Sequence, residues 1–271
     1  MLKSHDEALD KLVNAVLSSA KYKGVCSDLV RGIGSQELTK RRNSKEALKA
    51  TKNKLHQVGG AYLDGREDYA AWLSELAAVA QTNDQAALQR TCRDIMAHHA
   101  STRERLPILD QFYSTILADI APLHSVLDIA CGLNPLAIPW LPLAEDATYY
   151  ACDIFAPLVD FLNHSLQLFH VQGHIQQCDV IQSCPTREVD LAFVLKTIPC
   201  LEQVDKHAGY HLLRTINARY LIVSFPIHTL GGKSKGMATY YKAHFRELVA
   251  DTPWDIRTFE FPTELVFLVR K

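Results

Sequence analysis

No stretch of the chain carries the three glycines of a G-x-G-x-x-G dinucleotide fingerprint. At the one turn where it would stand, Gly132 is the sole glycine, with Ala130 and Asn134 beside it. Nothing there is built to cradle a diphosphate, which disfavours an NAD-dependent oxidoreductase. C-x-x-C pairs are absent too, and the cysteines sit mostly in apolar runs, as Cys131, Cys152, Cys178 and Cys200 do, so they read as buried thiols in a reducing cytoplasm. No uncharged apolar run approaches the roughly 18 residues of a membrane span. Lys3, Asp6, Glu7, Asp10 and Lys11 occupy the place of a signal-peptide core. The expectation is a cytoplasmic protein with no membrane partner.

Net charge is also lacking, with 29 Lys and Arg against 30 Asp and Glu. That excludes a uniformly basic nucleic-acid binder but leaves room for a local patch. Neither G-x-S-x-G nor H-E-x-x-H occurs. His207 and His211 have a metal-compatible spacing, but no third ligand stands near them, and the adjacent His98 and His99 cannot share a helix face. No metal is expected.

What is present suffices for one large domain, or a core domain with an extension: 271 residues, 48% of them hydrophobic. Residues 4 to about 120 lack strand-like alternation and read as helical, with Gly24, Gly32-Ile33-Gly34 and Gly59-Gly60 as expected helix stops. Leu9, Leu12, Val13, Val16 and Leu17 form one apolar stripe; Trp72, Leu73, Leu76 and Val79 form another. From about 124 the character changes to short apolar runs at 125–130, 147–153, 174–180, 189–195, 219–225, 255–261 and 264–269. Runs alternating with helical stretches imply a mostly parallel α/β sheet. The last two, joined around Pro262-Thr263, imply an antiparallel hairpin on its edge. The expected division is a helical docking region over 1–95 and a Rossmann-like core over 96–271.

Two sequence features suggest contact with RNA. Lys40, Arg41, Arg42, Lys45, Lys49, Lys52 and Lys54 face only Glu46 as counter-charge. A helix would put Arg42, Lys45, Lys49 and Lys52 on one side, a strip able to neutralise phosphates, although a solvated helix face has the same pattern. Ser224-Phe225-Pro226 ends the fifth run and leads to a loop with Lys233 and Lys235, placed where crevice loops of parallel sheets lie. Phe225 could stack on an extruded base or sit in the core.

The most informative stretch is Val126-Leu127-Asp128-Ile129-Ala130-Cys131-Gly132-Leu133-Asn134-Pro135, followed by Tyr149-Tyr150-Ala151-Cys152-Asp153-Ile154. A small-residue turn after the first strand lets a nucleoside approach the backbone. An acidic residue after the second can accept both ribose hydroxyls. S-adenosylmethionine fits this layout better than NAD.

Read with Leu55-His56-Gln57-Val58-Gly59-Gly60-Ala61-Tyr62, His99-Ala100-Ser101-Thr102-Arg103-Glu104-Arg105-Leu106, Leu195-Lys196-Thr197-Ile198-Pro199-Cys200-Leu201-Glu202, Gly236-Met237 and the terminal Glu264-Leu265-Val266, this chain resembles the aminoglycoside-resistance 16S ribosomal RNA methyltransferases. The resemblance is co-linear over nearly the whole chain. It implies an S-adenosylmethionine-dependent transfer of methyl to N7 of guanine 1405, on the assembled 30S subunit, with no DNA partner. It further implies that Arg105 meets the methionine carboxylate, with Tyr62, His99, Ala100 and Ser101 nearby. Asp153, beside Gly132, would bind the ribose, Asp179 and Val180 would meet the adenine, and Ala130 and Leu195 would line the channel. Lys196, Glu202 and Phe225 would handle the target guanine, Lys196 as a positioning residue. The competing expectations are a 16S rRNA adenine-N1 methyltransferase and a non-catalytic RNA-binding ribosome-assembly protein.

Overall fold

The computed structural model describes residues 2–62, 65, 67–82, 84–228 and 236–271. Three helices lead: α1 (Leu2–Leu17), α2 (Ser27–Lys40) and α3 (Ser44–Leu55), which runs into a wider turn at His56–Gly60. Leu9, Leu12, Val13 and Val16 of α1 pack on Leu29, Val30 and Ile33 of α2 and on Ala47 and Leu55 of α3, a small core of their own. Gly32 and Gly34, expected to stop a helix, instead lie inside α2. At Gly34 a Cβ would sit 2.8 Å from Leu12 Cδ2, so the missing side chain lets α1 and α2 approach closely.

The helix expected to carry the cationic strip is shorter than its charge pattern. Asn43 caps α3 by accepting from the Glu46 N–H at 2.9 Å, while its amide donates to the Glu46 carboxylate at 3.2 Å. This reciprocal cap fixes the start of the helix at Ser44. Arg42 therefore lies ahead of α3, and of the four strip residues only Lys45, Lys49 and Lys52 share it.

Asp68 and Asp84 cap α4 (Tyr69–Ala80) and α5 (Gln85–Met96) by accepting the Ala71 and Ala87 N–H. α6 (Ala100–Arg105) and α7 (Leu109–Ile116) then lead to the sheet. Its strands are β1 (Leu123–Ile129), β2 (Leu143–Asp153), β3 (Gln172–Gln177), β4 (Val189–Leu195), β5 (Ala218–Pro226), β6 (Asp255–Glu260) and β7 (Glu264–Arg270). Between them lie α8 (Ala156–Leu168), α9 (Ile198–Leu201), α10 (Ala208–Thr215) and α11 (Met237–Leu248).

Among the described residues the strand order is β3-β2-β1-β4-β5-β7-β6, with β1 to β5 parallel and β7 antiparallel to both β5 and β6. Both faces are covered, which is why the central strands read as nearly unbroken apolar runs. Leu191 and Phe193 of β4 point into one layer with α4, α5, α7 and α8; Ala192 and Val194 point into the other with α10 and α11. Trp72, Leu76, Cys92, Ile95 and Met96 thus belong to the sheet's own core. That packing groups α4 and α5 with the sheet, across the division at 95/96 expected from the sequence.

Among the described residues no helix is long and apolar enough to cross a membrane. No group of three potential metal ligands is found among them.

Candidate functional site

A cleft opens at the carboxyl ends of β1 to β4. Parallel strands leave such a crevice where the crossover connections diverge to opposite faces. Two non-glycine residues here have left-handed backbones: Ala130 after β1 at φ 50° and Lys196 after β4 at φ 57°. Strain of this kind persists only where the surrounding structure holds it. Gly132, at φ 52°, is required twice over, because a Cβ there would also sit 2.8 Å from the His99 ring.

The turn is held by Asp153 at the end of β2. Its carboxylate accepts the Gly132 N–H at 2.9 Å, the Ile154 N–H at 2.7 Å and the Phe155 N–H at 3.2 Å. These bonds use three of its roughly four acceptor sites. Burial pushes this carboxyl up from its usual range, with the three N–H donors opposing. Further along, Asp179 accepts from the Ile181 N–H and the Gln182 amide, both at 3.0 Å. Val180, Ile181, Leu201 and Val204 make that end of the cleft apolar. Leu29 and Val58 of the leading helices complete it, a contribution that sequence reasoning missed.

Backbone bonds explain how those helices reach the site. The Cys26 N–H donates to Ile154 O and the Ala156 N–H to Gly24 O, both at 2.8 Å, and the Lys54 ammonium donates to Gln203 O at 3.0 Å.

The opposite wall carries the Tyr62 ring stacked on His99 at 5.9 Å, and the Tyr62 hydroxyl lies 3.0 Å from Cys200 Sγ. His99 Nδ1 is 2.9 Å from the Ser101 hydroxyl. Burial, with Lys196, Arg103 and Arg105 adding repulsion, lowers the His99 pKa to about 4. His99 is therefore neutral at physiological pH. The depressed value means that its contribution to stability is complete above the ordinary histidine pKa and is lost as pH falls toward 4. Between pH 7 and 5 the wild type is expected to lose up to roughly 2 kcal/mol more than a His99→Gln variant. Urea unfolding across that range checks this, and parallel pH profiles would contradict it.

Nine of the expected residues line this cleft: Tyr62, His99, Ser101, Ala130, Asp153, Asp179, Val180, Leu195 and Lys196. Gly132 supports it from behind, and Ala100, buried, donates its N–H to Tyr62 O at 2.8 Å. Neither is among the lining residues.

Three more of the expected residues do not line the cleft. Arg105, expected at the methionine carboxylate, is 1% exposed and does not line the cleft. Its fork is occupied by Glu264, through Nε at 3.1 Å and Nη2 at 2.7 Å, and by Asn134 Oδ1 at 2.8 Å. Phe225 is 0% exposed and packs on Tyr241, Phe245 and Phe267, so it is core and has no face to offer a base. Glu202 lies off the cleft lining with both carboxylate oxygens 2.9 Å from His244 Nε2.

Lys196 is a buried part of the cleft wall. Its ammonium donates to the Glu104 carboxylate at 2.8 Å and to Ser101 O at 3.2 Å, and lies 3.4 Å from Glu264. Glu104 and Glu264 were not singled out from sequence. Both stand in motifs that carry the family resemblance, and Glu264 is a charge heading an apolar strand run, but neither was given a role. Below the turn, burial pushes the Asp128 carboxyl up to about 7, and its Oδ1 is buried without a hydrogen-bond partner among the described residues.

Lys45, Lys49 and Arg42 are exposed and Lys52 half-buried. Among the described residues none of the four forms an ion pair, whereas neighbouring Arg41 and Lys54 both reach Glu37. Lys233 and Lys235 lie outside the described residues.

A family model described as "Ribosomal RNA methyltransferase (FmrO)" matches residues 18–268. A 16S rRNA (guanine(1405)-N(7))-methyltransferase of Micromonospora rosea is 34% identical over 98% of each chain. One of the same name from Frankia casuarinae is 35% identical over 99% of this chain and 95% of the relative. Another from Serratia marcescens is 32% identical over 97% and 98%. Among solved structures, the 16S rRNA methyltransferase RmtF in complex with S-adenosyl-L-homocysteine is similar with a TM-score of 0.82 at 31% identity, covering 98% of each chain. The 16S rRNA methylase RmtB is similar with a TM-score of 0.77 at 29% identity, covering 97% of this chain and 98% of its own.

Proposed function

The chain belongs to the FmrO family of ribosomal RNA methyltransferases, and on that premise we propose that it methylates N7 of guanine 1405 of 16S rRNA in the small ribosomal subunit, using S-adenosylmethionine. The consequence proposed for a cell is aminoglycoside resistance. The observation that carries this reading is the cleft itself: Asp153 lines it while holding the turn through Gly132, in a chain that matches its relatives end to end.

The residues present fit that cofactor. Gly132 and Ala130 keep the turn small, Asp153 has acceptor capacity left for ribose hydroxyls, and the apolar end with Val180, Ile181 and Leu29 suits a flat heterocycle. When bound, S-adenosylmethionine supplies an electrophilic methyl on a sulfonium. Guanine N7 carries an in-plane lone pair and no proton, so no residue of this chain needs to act as a base. What the chain supplies is alignment, an effect that can reach roughly 7 to 11 kcal/mol. Lys196 is a positioning residue here: Glu104 and Glu264 hold its ammonium in one place at the cleft wall. Because N7 lies on the narrow major-groove edge of A-form RNA, the nucleotide has to leave its stack to reach the cleft.

The test begins at Asp153. Asp153→Ala is expected to weaken S-adenosylmethionine binding by about 1.5 to 3 kcal/mol, the range for hydrogen bonds to a charged group. Calorimetry measures it, with NAD as the comparison ligand. Unchanged affinity in the folded variant, or tighter binding of NAD, would refute the assignment.

A further inference from the structure

Among the described residues Tyr240 alone of the large apolar side chains is exposed, at 62%. A single exposed aromatic ring is ordinary on a protein surface, but this one is mounted. Its ring lies parallel to His244, 6.0 Å between centroids and 14° between planes. His244 is fixed in turn by Glu202, whose two carboxylate oxygens are each 2.9 Å from Nε2. Tyr241, the next residue, stacks on the buried Phe225 at 4.8 Å and 24°, which ties this turn of α11 to the core. One face of the Tyr240 ring is therefore backed by a rigid pair, and most of the side chain is open to solvent.

Its place matters as much as its mounting. Glu202 ends the short helix α9, and Cys200 and Leu201 of that helix line the cleft. Tyr62 on the opposite wall touches Cys200 at 3.0 Å. The stack Tyr240–His244–Glu202 thus begins at the residue next to two that line the cleft. An RNA strand that delivers an unpaired base into the cleft has neighbouring bases to accommodate, and stacking on an aromatic ring is the sequence-tolerant way to hold one.

We propose that Tyr240, backed by His244 and Glu202, is a stacking platform for an unpaired base of the RNA strand that enters the cleft. This rests on the function proposed above. It also gives Glu202 a part in substrate handling through His244, as a positioning residue and not as a group that meets the target base directly.

The experiment is steady-state methylation of isolated small ribosomal subunits by the wild type, Tyr240→Ala and Tyr240→Phe, with cofactor calorimetry and thermal melting alongside. Tyr240→Ala is expected to raise the KM for the subunit about 5- to 150-fold, the range for losing one base–aromatic stack, with cofactor affinity and melting unchanged. Tyr240→Phe, which keeps the ring, should stay near the wild type. A wild-type KM in Tyr240→Ala would overturn the proposal. So would equal defects in both variants, which would point to the hydroxyl, or a loss confined to kcat, which would point to a structural role. A wild type that leaves the subunits unmethylated would count against the proposed function instead. Co-sedimentation of the two variants with subunits would then decide the platform on binding alone.

Discussion

Glu264→Ala is expected to destabilise the protein by about 3 to 5 kcal/mol, the cost of removing one partner from a buried ion pair. Glu264 is 0% exposed and serves two cations: it takes the Arg105 fork at 3.1 and 2.7 Å and lies 3.4 Å from the Lys196 ammonium. Burial alone would push its carboxyl up, but Arg105 and then Lys196 hold it below the usual carboxylate range. The stability it contributes is therefore complete above the ordinary glutamate pKa and is lost as pH falls through the lowered folded value. After the substitution Arg105 keeps its hydrogen bond to Asn134 and the Phe112 ring, and Lys196 keeps Glu104 and the Ser101 carbonyl. Glu264→Gln, which preserves shape and one acceptor, should lose less. Urea unfolding at neutral pH separates the three proteins. A cost below about 1 kcal/mol for the alanine variant would mean that the two cations are satisfied without Glu264.

This cluster marks the limit of what could be read from the sequence. The strands were legible because both faces of β1, β4, β5 and β7 are buried, leaving apolar runs that no surface helix shows. The turn around Gly132 and the acid at Asp153 were legible because the small turn and the acid at the end of the next strand recur together in nucleoside sites. Arg105 was not, since only the fold places β7 against α6, bringing Glu264 from 159 residues away to occupy the guanidinium. Phe225 was ambiguous for a related reason: a strand's last aromatic can face a crevice or a covering helix, and α11 covers this one. The cationic strip was misjudged by a single residue, where the Asn43–Glu46 cap outweighed helical spacing. Gly32 and Gly34 read as stops because glycine disfavours helix interiors, yet close packing overrides that preference, of Gly34 against Leu9 and Leu12 of α1 and of Gly32 against Gln182.

Replacing Arg42, Lys45, Lys49 and Lys52 together by glutamate is expected to reduce small-subunit binding below detection at physiological salt while leaving cofactor affinity intact. Among the described residues these four cations have no ion-pair partner, so their charge is available to phosphates; Arg41 and Lys54, tied to Glu37, are not. Each phosphate contact contributes close to one unit of slope in log affinity against log salt, so losing three should flatten the dependence by about two to three units. None of the four strip residues lines the cleft, which motivates unchanged cofactor binding. Co-sedimentation with subunits across a salt series measures the first effect and calorimetry the second. If the quadruple variant pelleted like the wild type with the same salt slope, the strip would be a solvated helix face and docking would lie elsewhere.

The most direct measurement is the modification itself. Small ribosomal subunits incubated with the purified protein and S-adenosylmethionine should yield 16S rRNA carrying one added methyl, located by cleavage-coupled primer extension and mass spectrometry at N7 of guanine 1405, and naked rRNA should be a poorer substrate than the assembled subunit. A methyl found on an adenine N1, or no methyl transferred by a protein that binds the cofactor and the subunit, would contradict the account.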